Sequence, residues 1–96
     1  MLSKDANYLA WIRTQECVGP SITECNGRIE AHHVTGKGMG GWKQDDRDTV
    51  PLCLTHHRQL HNDGRLKPFD AEETKLLLIE KAHHFLKRYL DGLHRP

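Results

Sequence analysis

The spacing of apolar side chains divides the chain into short stretches of different period. Residues 5–14 carry Tyr8, Leu9, Trp11 and Ile12 as the stripe of a short helix, with Asp5 placed to cap it. Residues 15–28 have no period and contain the turn dipeptides Gly19-Pro20 and Asn26-Gly27, the second also a hairpin signal. That stretch reads as loop. Residues 29–34 alternate and predict a short strand, which sets His32 and His33 on opposite sides. A polar, glycine-rich loop follows over 36–48, then a second strand over 49–52. Pro51 removes one ladder bond, so this strand is an edge or very short. A helix is expected from Thr55, as N-cap, to the stop signal Asn62-Asp63-Gly64. Asp70 with Glu73 at the capping-box position opens a longer helix over about 70–92. Its expected apolar face is Leu76, Leu77, Ile79, Leu86, Leu90 and Leu93.

Composition narrows the class. Ninety-six residues suit one domain, 1–96, and 36% apolar residues make a modest core. Domains of this size often need a metal or disulfides as staples. Three cysteines are an odd number, which argues against a closed disulfide framework, and eight histidines make thiolate–metal ligation the better use for them. That favours a reducing compartment, hence the cytoplasm. A net charge of +1 permits nucleic-acid binding without predicting it. No run of about 18 apolar residues is present, and the first residues lack the apolar core of a secretory signal, so no membrane association is expected.

Five of the eight histidines lie between Ala31 and Gly64. On a helix His57 and His61 stack on one face and can chelate one ion. His56 points about 100° away and belongs to another site. Cys53 lies three residues before it, the spacing of a zinc knuckle. Cys17 and Cys25 complete a closed Cys3His set with Cys53 and His56, the ligand pattern of structural zinc. One of His32 and His33 can join His57 and His61, and the other remains beside that ion as a base. His83, His84 and His94 read as structural or solvated.

The strand ending His32-His33, the loop, and then V-P-L-C-x-x-H-H-x-x-x-H on a helix resemble the HNH endonucleases over about residues 17–64. The E-A-H-H opening and the G-K-G-M-G-G-W-K loop also look like the phage recombination-enhancement (Ref-type) branch. The chain departs from the family in the longer gap from Cys17 to Cys25 and in His56, which stands where a second downstream cysteine is usual. The resemblance implies an α+β fold with a small ββα-metal, treble-clef-like core, a structural zinc knuckle and flanking N- and C-terminal helices. It makes His33 the general base and His32, His57 and His61 the ligands of a catalytic ion, and allows Mg2+ or Mn2+ there, while an all-histidine set by itself suits Zn2+, Ni2+, Co2+ or Mn2+. Asp48 falls in the place of the family's middle Asn, as a loop brace or a further metal contact. The implied activity is metal-dependent hydrolysis of DNA phosphodiester bonds, nicking one strand with low sequence specificity and leaving 5′-phosphate and 3′-hydroxyl ends.

Lys37, Lys43, Arg47, Arg58 and Arg65 are the candidates for holding the DNA backbone. A bacterial or phage-encoded monomer or weak dimer is expected, with a recombination or phage-machinery protein as a possible partner. Three alternatives stand beside this reading: a non-catalytic zinc domain that binds DNA or protein, a nuclease active only beside a protein partner and, last because no H-E-x-x-H is present, a different metal hydrolase.

Overall fold

The computed structural model describes residues 4–34 and 45–93. In chain order these form α1 (Ala6–Ile12), β1 (Ile29–His33), β2 (Thr49–Cys53), α2 (Leu54–Asp63) and α3 (Ala71–Leu93). The strands pair antiparallel, with Ile29 opposite Cys53, Ala31 opposite Pro51 and His33 opposite Thr49. The result is a small mixed α+β fold with a two-stranded sheet.

β2 is buried at all five positions and touches every helix. Val50 and Leu52, two apart and so on one face, pack with Leu66, Leu78 and Ala82. Each of the valine and leucine side chains withdrawn from water contributes about 1.5–3 kcal/mol. Pro51 cannot donate, but its carbonyl accepts from Val18 N–H at 3.0 Å, which lays the loop after α1 along the outer edge of β2. Asn26-Gly27 turns the chain into β1 rather than joining two paired strands, because the partner of β1 is β2.

α1 is capped as the sequence implies, with the Asp5 side chain accepting from Tyr8 N–H. It packs on α3 through aromatic rings: Tyr8 meets Tyr89 edge-on at 4.9 Å and Trp11 meets Phe85 at 6.1 Å.

α2 begins earlier than expected. Its N-cap is Cys53, whose Sγ accepts from His56 N–H at 3.4 Å, and not Thr55. Thr55 instead lies in the first turn, where its N–H and hydroxyl both reach the Asn26 carbonyl, at 3.2 and 3.3 Å. The helix ends at Gly64, whose φ of 70° suits a residue without Cβ.

α3 has the capping box the sequence predicts: Asp70 N–H donates to Glu73 at 3.0 Å and Glu73 N–H to Asp70 at 2.8 Å. Its buried stripe, however, is Thr74, Leu78, Ala82 and Phe85, while Leu76 is 64% and Leu93 60% exposed. Residues 76–79 are four consecutive apolar side chains, so several helical phases satisfy them equally. The phase is set from outside, by Leu66 N–H donating to Thr74 Oγ1 at 2.9 Å and by Phe85 closing on Tyr8 and Ile12. Among the described residues no helix is long and apolar enough to cross a membrane.

Candidate metal centre

Among the described residues, side chains able to ligate a metal gather at two places, on either side of the first turn of α2. Neighbours on a helix diverge by about 100°, so His56 and His57 face different groups.

The first group is Cys17, Cys25, Cys53 and His56. It draws on the loop after α1, the turn before β1, the end of β2 and α2. The three cysteines form no disulfide. His56 is fully buried, and its Nδ1 lies 3.5 Å from Cys17 Sγ, 3.5 Å from Cys25 Sγ and 3.1 Å from Cys53 Sγ. Tetrahedral zinc with bonds of about 2.3 Å to sulfur and 2.0–2.1 Å to nitrogen separates those atoms by about 3.5 Å. On its other side the His56 Nε2–H donates to the Pro20 carbonyl at 3.0 Å, which leaves Nδ1 as the lone pair facing the sulfurs. Gly19 N–H donates to Cys17 Sγ at 3.3 Å. The glycine is required here: a Cβ at position 19 would stand 2.4 Å from the His56 ring.

The thiols behave as one set. Burial, with its thiol neighbours, pushes Cys25 up to about 12, and burial raises Cys17 as well. Burial also opposes ionisation of Cys53, but the His56 N–H and ring hold it down to about 6. All three can ionise together only with a cation among them. The donor set and its spacing fit zinc.

The second group is His32, His57 and His61. His32 comes from β1 and the other two from successive turns of α2. His57 Nε2 lies 3.2 Å from His32 Nδ1 and 3.3 Å from His61 Nε2. Two nitrogens on one tetrahedral ion with bonds of about 2.0–2.1 Å are about 3.3–3.4 Å apart, so this spacing also fits a metal. The other nitrogen of His57, Nδ1–H, donates to Glu30 Oε1 at 2.8 Å, and Arg28 pairs with Glu30 Oε2 at 2.9 Å. The His57 ring holds the Glu30 carboxyl below the usual range, against its desolvation and with help from Arg28. The carboxylate fixes the tautomer that turns Nε2 toward the group.

His33 points elsewhere, as strand alternation requires, and its Nε2 lies 2.9 Å from Asp46 Oδ1. His33 and His32 nevertheless border one cavity of about 260 Å3, with Val34, Leu60, Thr74 and Lys75 among its other walls.

Asp48 belongs to neither ligand group. Its backbone closes the sheet, accepting from Val34 N–H at 2.9 Å. Among the cationic candidates, Arg47 Nε donates to Asp5 Oδ2 at 3.1 Å, Arg65 donates to the Phe69 carbonyl at 3.3 Å and Arg58 is exposed on α2. Lys37 and Lys43 lie outside the described residues. Sequence reasoning missed Glu30 and Asp46. Glu30 is legible in retrospect, since it sits two before His32 on the same strand face. Asp46 is one of three loop aspartates, Asp45, Asp46 and Asp48, and nothing in their spacing distinguishes it.

A family model described as "Protein of unknown function (DUF968)" matches residues 1–90. The "Uncharacterized protein YdfU" of Escherichia coli (strain K12) is 38% identical over 60 residues, which cover 58% of this chain and 16% of that protein. No solved structure matches.

Proposed function

We propose that this chain, which belongs to the DUF968 family, is a metal-dependent endonuclease of the HNH type with a ββα-metal core. One observation carries the reading. A Cys3His set already supplies the four ligands a structural zinc needs, yet a second, three-imidazole group stands beside it with a further histidine on the shared cavity. A zinc staple has no use for that second group. Catalytic metal sites typically combine three protein ligands with open positions.

In this reading a divalent ion at His32, His57 and His61 supplies positive charge to the phosphate and to the oxygen that leaves it. The residues of the chain do the rest. Glu30 holds His57 in its ligating tautomer. His33 accepts a proton from water through its unprotonated ring nitrogen as the water oxygen bonds to phosphorus. The bond from phosphorus to the 3′ oxygen breaks, its electron pair leaves on that oxygen, and solvent protonates it. The products are a 5′-phosphate and a 3′-hydroxyl. The Lys75 ammonium on the cavity wall, with Arg58 on α2, supplies attraction for the DNA backbone. One site per chain cuts one strand at a time, so duplex DNA is nicked.

A second reading has one observation in its favour. The stretch matching the E. coli protein makes up only 16% of that protein, so there the matched stretch sits in a much longer chain. This supports a nuclease that acts only beside further domains or a partner.

The deciding experiment is cleavage of supercoiled plasmid by metal-stripped protein, with Mg2+, Mn2+, Ni2+, Zn2+ or no ion restored, beside His33→Ala. Metal-dependent nicking, lost in a variant that remains folded and zinc-loaded, is the expected result. No cleavage with any ion by a folded, zinc-loaded wild-type chain would move the assignment to the partner-dependent enzyme or to a DNA-binding zinc domain.

A further inference from the structure

Asp46 is 9% exposed, and both its carboxylate oxygens are engaged. Oδ1 faces His33 Nε2 at 2.9 Å, and Oδ2 accepts from the Asp5 backbone N–H at 2.9 Å. Asp5 is itself held twice: its side chain caps α1 through Tyr8 N–H at 3.0 Å and accepts from Arg47 Nε at 3.1 Å. The carboxylate therefore has little freedom to rotate. The His33 ring beside Asp46 also holds its carboxyl below the usual range, against its burial. An ionised carboxylate accepts and cannot donate. The proton shared with His33 thus belongs to Nε2, and the lone pair of the neutral ring belongs to Nδ1.

We propose that Asp46 is the positioning residue of the general base: it orients the His33 ring and sets the tautomer in which Nδ1 can take a proton from water. This rests on the endonuclease reading of His33. Asp46 belongs to neither ligand group and does not itself line the cavity; it acts through His33, which does.

A merely structural Asp46 would tie α1 to the loop before β2, and asparagine would serve nearly as well. The positioning role reverses that expectation. In Asp46→Asn the amide oxygen can keep the Asp5 N–H, and the amide NH2 then faces His33 Nε2. That nitrogen must accept, the ring proton moves to Nδ1, and the base is blocked. Asp46→Ala leaves both tautomers open. The expected order of nicking rate is therefore wild type, then Asp46→Ala, then Asp46→Asn, with Asn down by about 10²–10⁴-fold. Zinc content and melting temperature of Asp46→Asn should stay near wild type.

The experiment pairs those rates with 15N imidazole spectra of the full, zinc-loaded chain, His33 being assigned from His33→Gln. Wild type should show His33 protonated on Nε2 and Asp46→Asn on Nδ1. Wild-type His33 protonated on Nδ1, or Asp46→Asn cutting as fast as wild type, would overturn the proposal. If wild type cuts nothing with any ion, the reading as an independently active nuclease fails by itself, and the spectra still decide whether Asp46 sets the His33 tautomer.

Discussion

Single atoms decide what the two ligand groups can do. Gly19 passes so close to the His56 ring that one methyl group has nowhere to go. Gly19→Ala is expected to cost about 1–3 kcal/mol through overpacking and to lower bound zinc below the wild-type level. Elemental analysis and thermal denaturation read the two effects together. Glu30 acts on the other group. Replacing it by Gln removes the charge that turns His57 Nε2 inward, and outer partners of this kind typically change metal affinity by about 10–100-fold. Titration with Co2+, followed by its absorption bands, should show weaker binding at His32, His57 and His61. Zinc at the cysteine group should not change. Equal Co2+ affinity in Glu30→Gln and wild type would mean that the carboxylate does not set the ligand.

At the level of elements, the placement of α3 rests on a polar atom as well as on its buried apolar stripe. Thr74 Oγ1 takes the backbone N–H of buried Leu66, so Thr74→Val leaves that donor unpaired. The expected loss is about 1–3 kcal/mol, since a stranded buried donor costs its full desolvation. Removing the exposed cap in Asp70→Ala should cost about 1 kcal/mol. Urea titrations of the two variants test the order. A Thr74→Val protein as stable as wild type would show that burial of Leu78, Ala82 and Phe85 sets the helix phase without help. The same comparison explains why the leucine stripe misleads. Leu76 and Ile79 satisfy a helical period, but among the described residues no neighbouring element covers Leu76.

For the whole molecule, α1 and α3 meet over a buried phenol. Tyr8 Oη is buried with no hydrogen-bond partner among the described residues, and burial pushes the phenol from its ordinary value near 10 up to about 12. The folded value is the higher one, so this neutral group keeps its full contribution below pH 10. Above pH 10 the unfolded chain ionises first, and stability falls until the folded phenol ionises near pH 12. The loss over that window is about 2–3 kcal/mol at 1.36 kcal/mol per unit. Tyr8→Phe should remove this alkaline slope and be as stable as wild type at pH 7, because an unpartnered hydroxyl gives up little when deleted. Chemical denaturation at pH 7 and at several points between pH 10 and 12 checks both statements. A Phe variant that loses stability as steeply as wild type over that range would place the alkaline transition in another group.

Which side chains could gather into the two groups was partly legible in the chain. Cys53 and His56 at knuckle spacing, His57 and His61 one helical turn apart, and His32 and His33 on alternate sides of a strand follow from local periods that no distant contact can alter. The capping box at Asp70 and Glu73 and the stop at Gly64 are local in the same sense. Distance along the chain hid the rest. That Cys53 rather than Thr55 caps α2 depends on the loop that brings Asn26 to Thr55. The buried stripe of α3 depends on Leu66 and Tyr8. Asp46 meets His33 across 13 residues of sequence, and Oδ2 of the same carboxylate meets Asp5 across 41. Spacing determines which side chains share a face. Only the packed molecule decides which faces meet, because that choice minimises exposed apolar surface and unpaired polar atoms over the whole chain at once.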